Sequence, residues 1–376
     1  MKFILTKILT LTFLVLLFSC KNEHNNRPSK EKNSSENSIK YAKGFDIQHF
    51  NNYTKLTIKA PYQNSKETFE FILTHSKTTT NLDTIQTPIK SIVVTSTTHI
   101  PFLELLNVED YLVGFPNTDY ISSKKTNSLI SRGLVKELGN EENINTELLL
   151  DLHPDVVVGF SLNSNNKMFA VIEKLGIPVL LNGDWLEETP LGRAEWIKFF
   201  GVLFDKKKVA DSIFKNIETN YLEAKAIALK ATNKPTVISG GLFKDIWNLP
   251  AGESFEATFL RDANTNYLWK DSKGKGSLSL NIENVFEKGK EADIWISPSH
   301  FKTLAQLKNA NAMYSKFKAF KTNNIYTYVN KQGKNGGIVY FELAPARPDL
   351  VLKDIIKIAH PNLLKDYEFT FYERLR

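Results

Sequence analysis

The chain has 376 residues, a formal net charge of +7 and one cysteine, Cys20. A lone cysteine excludes an internal disulfide framework, so folding rests on a hydrophobic core, and the length suffices for two domains. The basic charge is scattered, with Lys206–Lys208 the single run; no interleaved basic and aromatic stripe marks a nucleic-acid partner.

Residues 1–20 open with MKFILTK, continue as ILTLTFLVLLF and stop at LFSC, with Leu17 three positions before Cys20 and the small Ser19 beside it. This is the pattern of a bacterial lipoprotein signal cleaved ahead of an acylated cysteine. The apolar run is roughly half the ~20 residues that a membrane span needs. Lipidation at Cys20 is therefore expected, anchoring the chain to a bacterial membrane with its body in the periplasm or exposed at the cell surface. Residues 21–40, KNEHNNRPSKEKNSSENSIK, carry almost no large apolar side chains and read as a flexible tether.

Residues 41–190 are expected to form a first lobe. The alternating runs YTKLTIKAPY and ETFEFILTH predict hairpin strands, an N-terminal extension. From residue 88, strands and helices then alternate. PIKSIVVTS, YLVGF, PDVVVGF and IPVLLNG read as buried strands; HIPFLELLNVED, INTELLLDLH and NKMFAVIEKLG read as helices. That order predicts an α/β fold with a mainly parallel sheet. Residues 233–376 repeat the texture through PTVISGG, ADIWIS, NNIYTYV and intervening helices, ending in DLVLKDIIKIAH. An Asn-x-Glu helix start precedes a buried strand in both halves, at INTELLLDLHPDVVVGF and LNIENVFEKGKEADIWIS.

Residues 191–232 link the lobes. Within them DKKKVADSIFKNIETNYLEAKAIALKA predicts one helix of about 26 residues, roughly 39 Å long, with Asp205 as N-cap. Val209, Ile213, Ile217 and Tyr221 would form its apolar stripe. Two α/β lobes on one long helix leave a cleft between them.

These features resemble the siderophore, haem and cobalamin class of substrate-binding proteins of ABC importers. The resemblance spans roughly residues 88–365. It is carried by IKSIVVTSTTHIPFLELLNVEDYLVGF, LHPDVVVGF, the long helix and RPDLVLKDIIKIAHP. PLGRAEWIKFFG and YFELAPARPDL look like the lipoprotein version common in Bacteroidetes-type bacteria. The resemblance implies capture of an iron–siderophore, or of cobalamin or haem, and delivery to an inner-membrane permease with its ATPase. It implies a monomeric body without an intrinsic cofactor. A glutamate on each lobe usually meets the permease in this class, yet the matching stretches SLNSNNK and SPSHFK contain no carboxylate. Glu147 and Glu283 read as local helix-start residues.

Ligands of open α/β sheets collect beyond the C-terminal strand ends. That rule selects His99 beside Thr97 and Thr98, then Asn117, Tyr120, and Trp185 beside Asp184. It continues with Arg193, Glu195, Lys244, Trp247, His300, Tyr340, Glu342 and Arg347. Trp196, Phe199 and Trp295 are expected in the core. The stretch NGDWLEETPLGRAEWIKFFG should form the cleft floor, with Arg193 meeting a ligand carboxylate and Trp185 offering an apolar face. Arg193→Ala is expected to weaken an anionic ligand while leaving stability nearly unchanged. His99 and His300, on opposite lobes, offer a second possibility of closing on a metal or haem iron. No H-E-x-x-H, G-x-S-x-G or P-loop pattern supports an enzyme. A free metal-ion receptor and a surface nutrient-capture lipoprotein stand as the other readings.

Overall fold

The computed structural model of the chain describes residues 38–76, 81–164 and 167–376. The expected leader, with Cys20, and the tether up to residue 37 lie outside the described residues.

The alternating N-terminal runs form β1 (Phe45–His49), β2 (Thr54–Lys59) and β3 (Thr68–Thr74), an antiparallel meander. The short β4 (Thr84–Gln86) adds parallel to β3. Phe45, Ile47, Leu56, Ile58, Phe71 and Leu73 point inward at the spacing of two that a half-buried strand requires.

The first lobe follows as β5 (Ile92–Val94), α1 (Ile100–Leu105), β6 (Leu112–Phe115), α2 (Lys124–Ser131) and β7 (Lys136–Glu137). The small hairpin β8 (Gly139–Asn140) and β9 (Asn143–Ile144) leads to α3 (Thr146–Leu152), β10 (Val156–Gly159), α4 (Lys167–Lys174) and β11 (Val179–Leu181). Its sheet runs β11-β10-β5-β6-β7, parallel throughout. Val93 and Val157 face one core, whereas Ile92, Val94, Val156 and Val158 face the other, so both sides are covered and the strands read as continuous apolar runs.

The connecting segment holds α5 (Pro190–Glu195), α6 (Ile197–Leu203) and α7 (Lys207–Ala228). The long helix α7 has 22 residues, about 33 Å at 1.5 Å per residue, and starts later than predicted. Asp205 is not its cap: it adopts a positive φ of 54° in the turn out of α6, and Lys206 occupies the N-cap position without a side-chain bond. The buried stripe is also displaced. Val209 is exposed, and Ala210, Phe214, Ile217, Tyr221, Ala224 and Ala228 face inward. The first three join the first lobe's core and the last three the second's, so one helix face is shared by both lobes.

The second lobe comprises β12 (Thr236–Ser239), β13 (Gly241–Phe243), β14 (Ile246–Pro250), α8 (Phe255–Asp262), β15 (Asn266–Tyr267), β16 (Ser277–Leu280) and α9 (Ile282–Gly289). It continues with β17 (Ile294–Ile296), α10 (Leu304–Ala310), α11 (Lys318–Lys321), β18 (Ile325–Thr327), α12 (Val339–Leu343), α13 (Pro348–Ala359) and β19 (Glu373–Arg374). The order β15-β12-β17-β18-β19 is parallel except at the last pair. A separate antiparallel sheet, β13-β14-β16, follows the end of β12 and takes up Trp247, which the sequence offered as a strand-end candidate. The Asn-x-Glu echo is real in geometry: Asn145 Oδ1 accepts the Leu148 N–H at 3.0 Å, and Asn281 Oδ1 accepts the Asn284 N–H at 2.9 Å. Each Asn is the cap, leaving Glu147 and Glu283 in the first turn, where the helix dipole favours a negative charge.

Candidate functional site

The first lobe builds one wall of a cleft from the C-terminal ends of its strands. Thr95 Oγ1 accepts the Phe160 N–H at 3.1 Å, tying the end of β5 to the end of β10. Ser96 caps the turn Thr97–His99 by accepting the Thr98 N–H at 3.3 Å. After β11, Asn182 Oδ1 accepts the Asp184 N–H at 2.8 Å and bends the chain into the turn Asp184–Leu186. Thr189 then caps α5 through the Gly192 N–H at 3.0 Å, with Pro190 in the first turn.

These local devices place Ser96, Thr97, Thr98, Phe160, Asp184, Trp185, Pro190 and Arg193 on a common surface. The facing wall is helical: Phe255, Glu256 and Phe259 from α8, Tyr340, Phe341 and Ala344 from α12 and the residue after it, then Pro345 and Pro348. Between them lies a cavity of about 340 Å³, within the ~300–1,000 Å³ usual for small-molecule sites.

Arg193 is the cation of this cavity. Its Nη2 donates to the Trp185 carbonyl at 2.7 Å and its Nε to the Glu187 carbonyl at 3.4 Å. The guanidinium lies 3.5 Å from the centre of the Phe255 ring, so the residue bridges the lobes by a cation–π contact. Burial lowers its pKa, opposed by the nearby carboxylates of Asp184 and Glu256. Asp184 is buried, its carboxyl pushed up to about 6 by that burial and held back by Arg193. Burial also raises Glu256. Asp184 Oδ2 and the indole Nε1 of Trp185 are buried polar atoms with no hydrogen-bond partner, each costly unless a partner is supplied. Phe160 meets Trp185 edge-on at 5.8 Å, and Tyr340 stacks on Tyr328 at 4.3 Å, fixing the aromatic walls.

Of the residues selected from the sequence, Trp185, Arg193 and Tyr340 line the cavity, together with Thr97, Thr98 and Asp184 named beside them. The others stand elsewhere. His99 is fully buried against Phe200, and burial drives its pKa down to about 3, so it is a neutral core residue. His300 is exposed and its Nδ1 lies 3.1 Å from Ser299 Oγ; the two histidines do not converge on one cavity. Asn117 takes a left-handed turn, its N–H donating to the Gly139 carbonyl, while Tyr120 is exposed outside the cavity. Lys244 sits at the exposed β13–β14 turn with a φ of 57°. Trp247 is a strand residue in the core, stacked 5.2 Å from Trp295, with Nε1 donating to the Ser239 carbonyl. Arg347 is committed to Asp349 by bonds of 2.9 and 2.8 Å. Glu195 and Glu342 are buried carboxylates spent on backbone N–H groups. Trp196 and Phe199 lie in the core, as expected.

The strand-end rule therefore selects the first wall and, of the second, Tyr340 alone. The ends of β12 and β17 open onto a void of only about 20 Å³, lined by Ser239, Ser297, Glu256 and Tyr340, room for about one water. What covers them is α8, whose Phe255 and Phe259 four residues apart carried a helix-face signal, and α12, whose Tyr340–Phe341 and Ala344–Pro345 pairs recur at the same spacing.

Arg193 also corrects an expectation about stability. Its removal takes away two hydrogen bonds from a charged donor and an aromatic contact, so Arg193→Ala should lower stability by about 1–3 kcal/mol, read by urea unfolding. A change under a few tenths would mean these contacts contribute nothing.

The fold is that of a two-lobed periplasmic binding protein, with one long helix serving both lobes and a cavity between them. The chain belongs to the periplasmic binding protein family, whose sequence profile matches residues 92–331. It is 26% identical over 375 aligned residues to an uncharacterised lipoprotein of Methanocaldococcus jannaschii, covering 92% of this chain and 87% of that one. Among solved structures it is similar to a possible iron-binding (periplasmic solute-binding) protein of Staphylococcus epidermidis, with a TM-score of 0.57 and 18% identity over 73% of this chain and 99% of that one. A periplasmic haem-binding protein of Vibrio cholerae matches with a TM-score of 0.54 and 17% identity, over 70% and 99% of the two chains.

Proposed function

We propose that the chain is the substrate-binding lipoprotein of an ABC-type importer, anchored through Cys20, that captures an iron–siderophore or related metal chelate and hands it to a membrane permease. The observation that carries this reading is the interlobe cavity itself: aromatic on both walls, with one half-buried cation and two buried polar atoms without a hydrogen-bond partner. Such a site fits an organic ligand with an apolar periphery. The names of the Staphylococcus and Vibrio proteins, iron-binding and haem-binding, support a metal chelate. The lipoprotein name of the Methanocaldococcus relative supports the anchor.

Trp185 is the tryptophan that lines the cavity, so it reports occupancy. Titrating the chain with ferric siderophores, haemin and cobalamin, with free tryptophan as inner-filter control, should give saturable quenching at micromolar or lower concentration by one class. Trp185→Phe should lose most of that signal. Quenching that survives the substitution in full would place the ligand elsewhere, and no response to any class would overturn the reading.

A further inference from the structure

The charged side chains on the cavity wall are Arg193, Asp184 and Glu256, one cation against two carboxylates. Lys244 and Arg347, which the sequence offered as further cations, are not there: one is at an exposed turn and the other is held by Asp349. Arg193 is itself engaged by two backbone carbonyls and the Phe255 ring. Asp184 lines the cavity: its Oδ2 is buried without a hydrogen-bond partner, while the Thr98 hydroxyl beside the carboxyl helps hold its pKa down. A polyanion entering this space would meet two carboxylates in a region of low dielectric, where like charges repel far more strongly than in water. A donor such as an ammonium, amide N–H or hydroxyl would instead satisfy Asp184 Oδ2.

We infer that the cleft selects a chelate of neutral or positive charge that presents a hydrogen-bond donor to Asp184, and that it excludes polyanionic chelates. This rests on the chelate-binding reading and names the charge class within it. Asp184 is then a specificity-determining residue, Arg193 and the aromatic walls being common to any occupant. The titration has a definite sign. The charged groups facing Asp184 are Arg193, which favours its ionised form, and Glu187, which opposes it. With its pKa at about 6, lowering the pH through that value neutralises the carboxylate. Affinity for a cation then falls, whereas affinity for an anion does not.

A charge series on one chelate core tests this. The gallium(III) complex of a linear trihydroxamate with a terminal ammonium, its acetylated neutral form and its succinylated anionic form differ only at that terminus. A gallium tris-catecholate supplies a trianion. Calorimetric titration of the full chain in detergent at pH 7.5 should rank the ammonium form at least level with the neutral one and about tenfold or more above the succinylated one. The trianion should not bind. Asp184→Asn should bring the ammonium and succinylated forms within a few-fold of each other, and Glu256→Gln should act in the same direction if Asp184→Asn does not fold. A succinylated or tris-catecholate complex binding as tightly as the ammonium form overturns the inference and leaves the chelate reading standing. Failure of all four complexes, and of haemin and cobalamin in the same titration, overturns the chelate reading and the inference with it.

Discussion

Replacing Glu195 with alanine should remove about 3–5 kcal/mol of folding stability, the usual cost of leaving a buried charge without its partner. Glu195 is fully buried. Its carboxylate accepts the Lys40 N–H at 2.9 and 3.0 Å, the Tyr41 N–H at 2.6 Å and the Ala42 N–H at 2.9 Å. The Lys198 ammonium, also buried, donates to it at 2.8 Å and to the Ser38 carbonyl at 2.7 Å. Alanine would orphan three backbone donors at once and leave Lys198 only the Ser38 carbonyl and Asp211, 3.9 Å away. Against a typical total of about 5–15 kcal/mol, the loss should show as a large drop in the urea midpoint with an unchanged slope. A chain truncated ahead of residue 45 lacks the same donors, so the two changes should be far from additive. Additive losses, or a loss below about 1 kcal/mol, would mean the segment is merely laid against the body.

That clamp resolves the density of carboxylates in NGDWLEETPLGRAEWIKFFG, which the sequence suggested was recognition chemistry for a ligand. Glu187 accepts the Lys43 and Gly44 N–H groups at 2.9 Å each and the Trp196 indole at 3.0 Å. Glu188 bridges Lys43 and Lys275. Glu195 holds the three residues before them. The partners in residues 40–44 lie about 150 positions away in sequence, beyond any local pattern. Trp185 and Arg193 of the same stretch do face the cleft, because one follows a strand end and the other sits on a capped helix, both local features.

The same division holds across the chain. Period-two runs and β-branched strands, such as Ile92–Val94, were legible because their burial follows from local spacing. Trp247 was misread because pairing with β16 depends on residues more than thirty positions on. Glu342 was misread for the same reason: its acceptor role is set by the other lobe.

Glu342→Ala should shift the balance between closed and open lobes by roughly 2 kcal/mol, about thirtyfold, the scale of two backbone hydrogen bonds to one carboxyl. From α12 in the second lobe, its carboxylate accepts the Ser122 N–H at 2.6 Å and the Ser123 N–H at 2.9 Å in the first. The Asn335 amide reaches Asp119 at 2.8 Å beside it. The loop between β18 and α12 lies flush on this surface: a Cβ on Gly337 would stand 2.0 Å from the Tyr120 carbonyl oxygen, and one on Gly333 would stand 2.5 Å from Ser122 Cα. Gly337→Ala should therefore wedge the lobes apart with the carboxylate intact. Burial, aided by the nearby Glu104, pushes the Glu342 carboxyl up to about 7 from its ordinary 4.5. The closed arrangement thus binds the proton more tightly than an open, solvated one. Its contribution to closure is complete below about 4.5 and declines as pH rises through 7. Spin labels at Leu162→Cys and Phe243→Cys, both exposed and on opposite lobes, placed in a Cys20→Ser background, report the separation. One short distance in the parent should gain a longer population in either variant and, more weakly, above pH 7. If the short distance persists unchanged in Glu342→Ala and Gly337→Ala alike, the apolar contacts across the cleft hold the lobes together and the carboxylate only caps the Ser122–Ser123 turn.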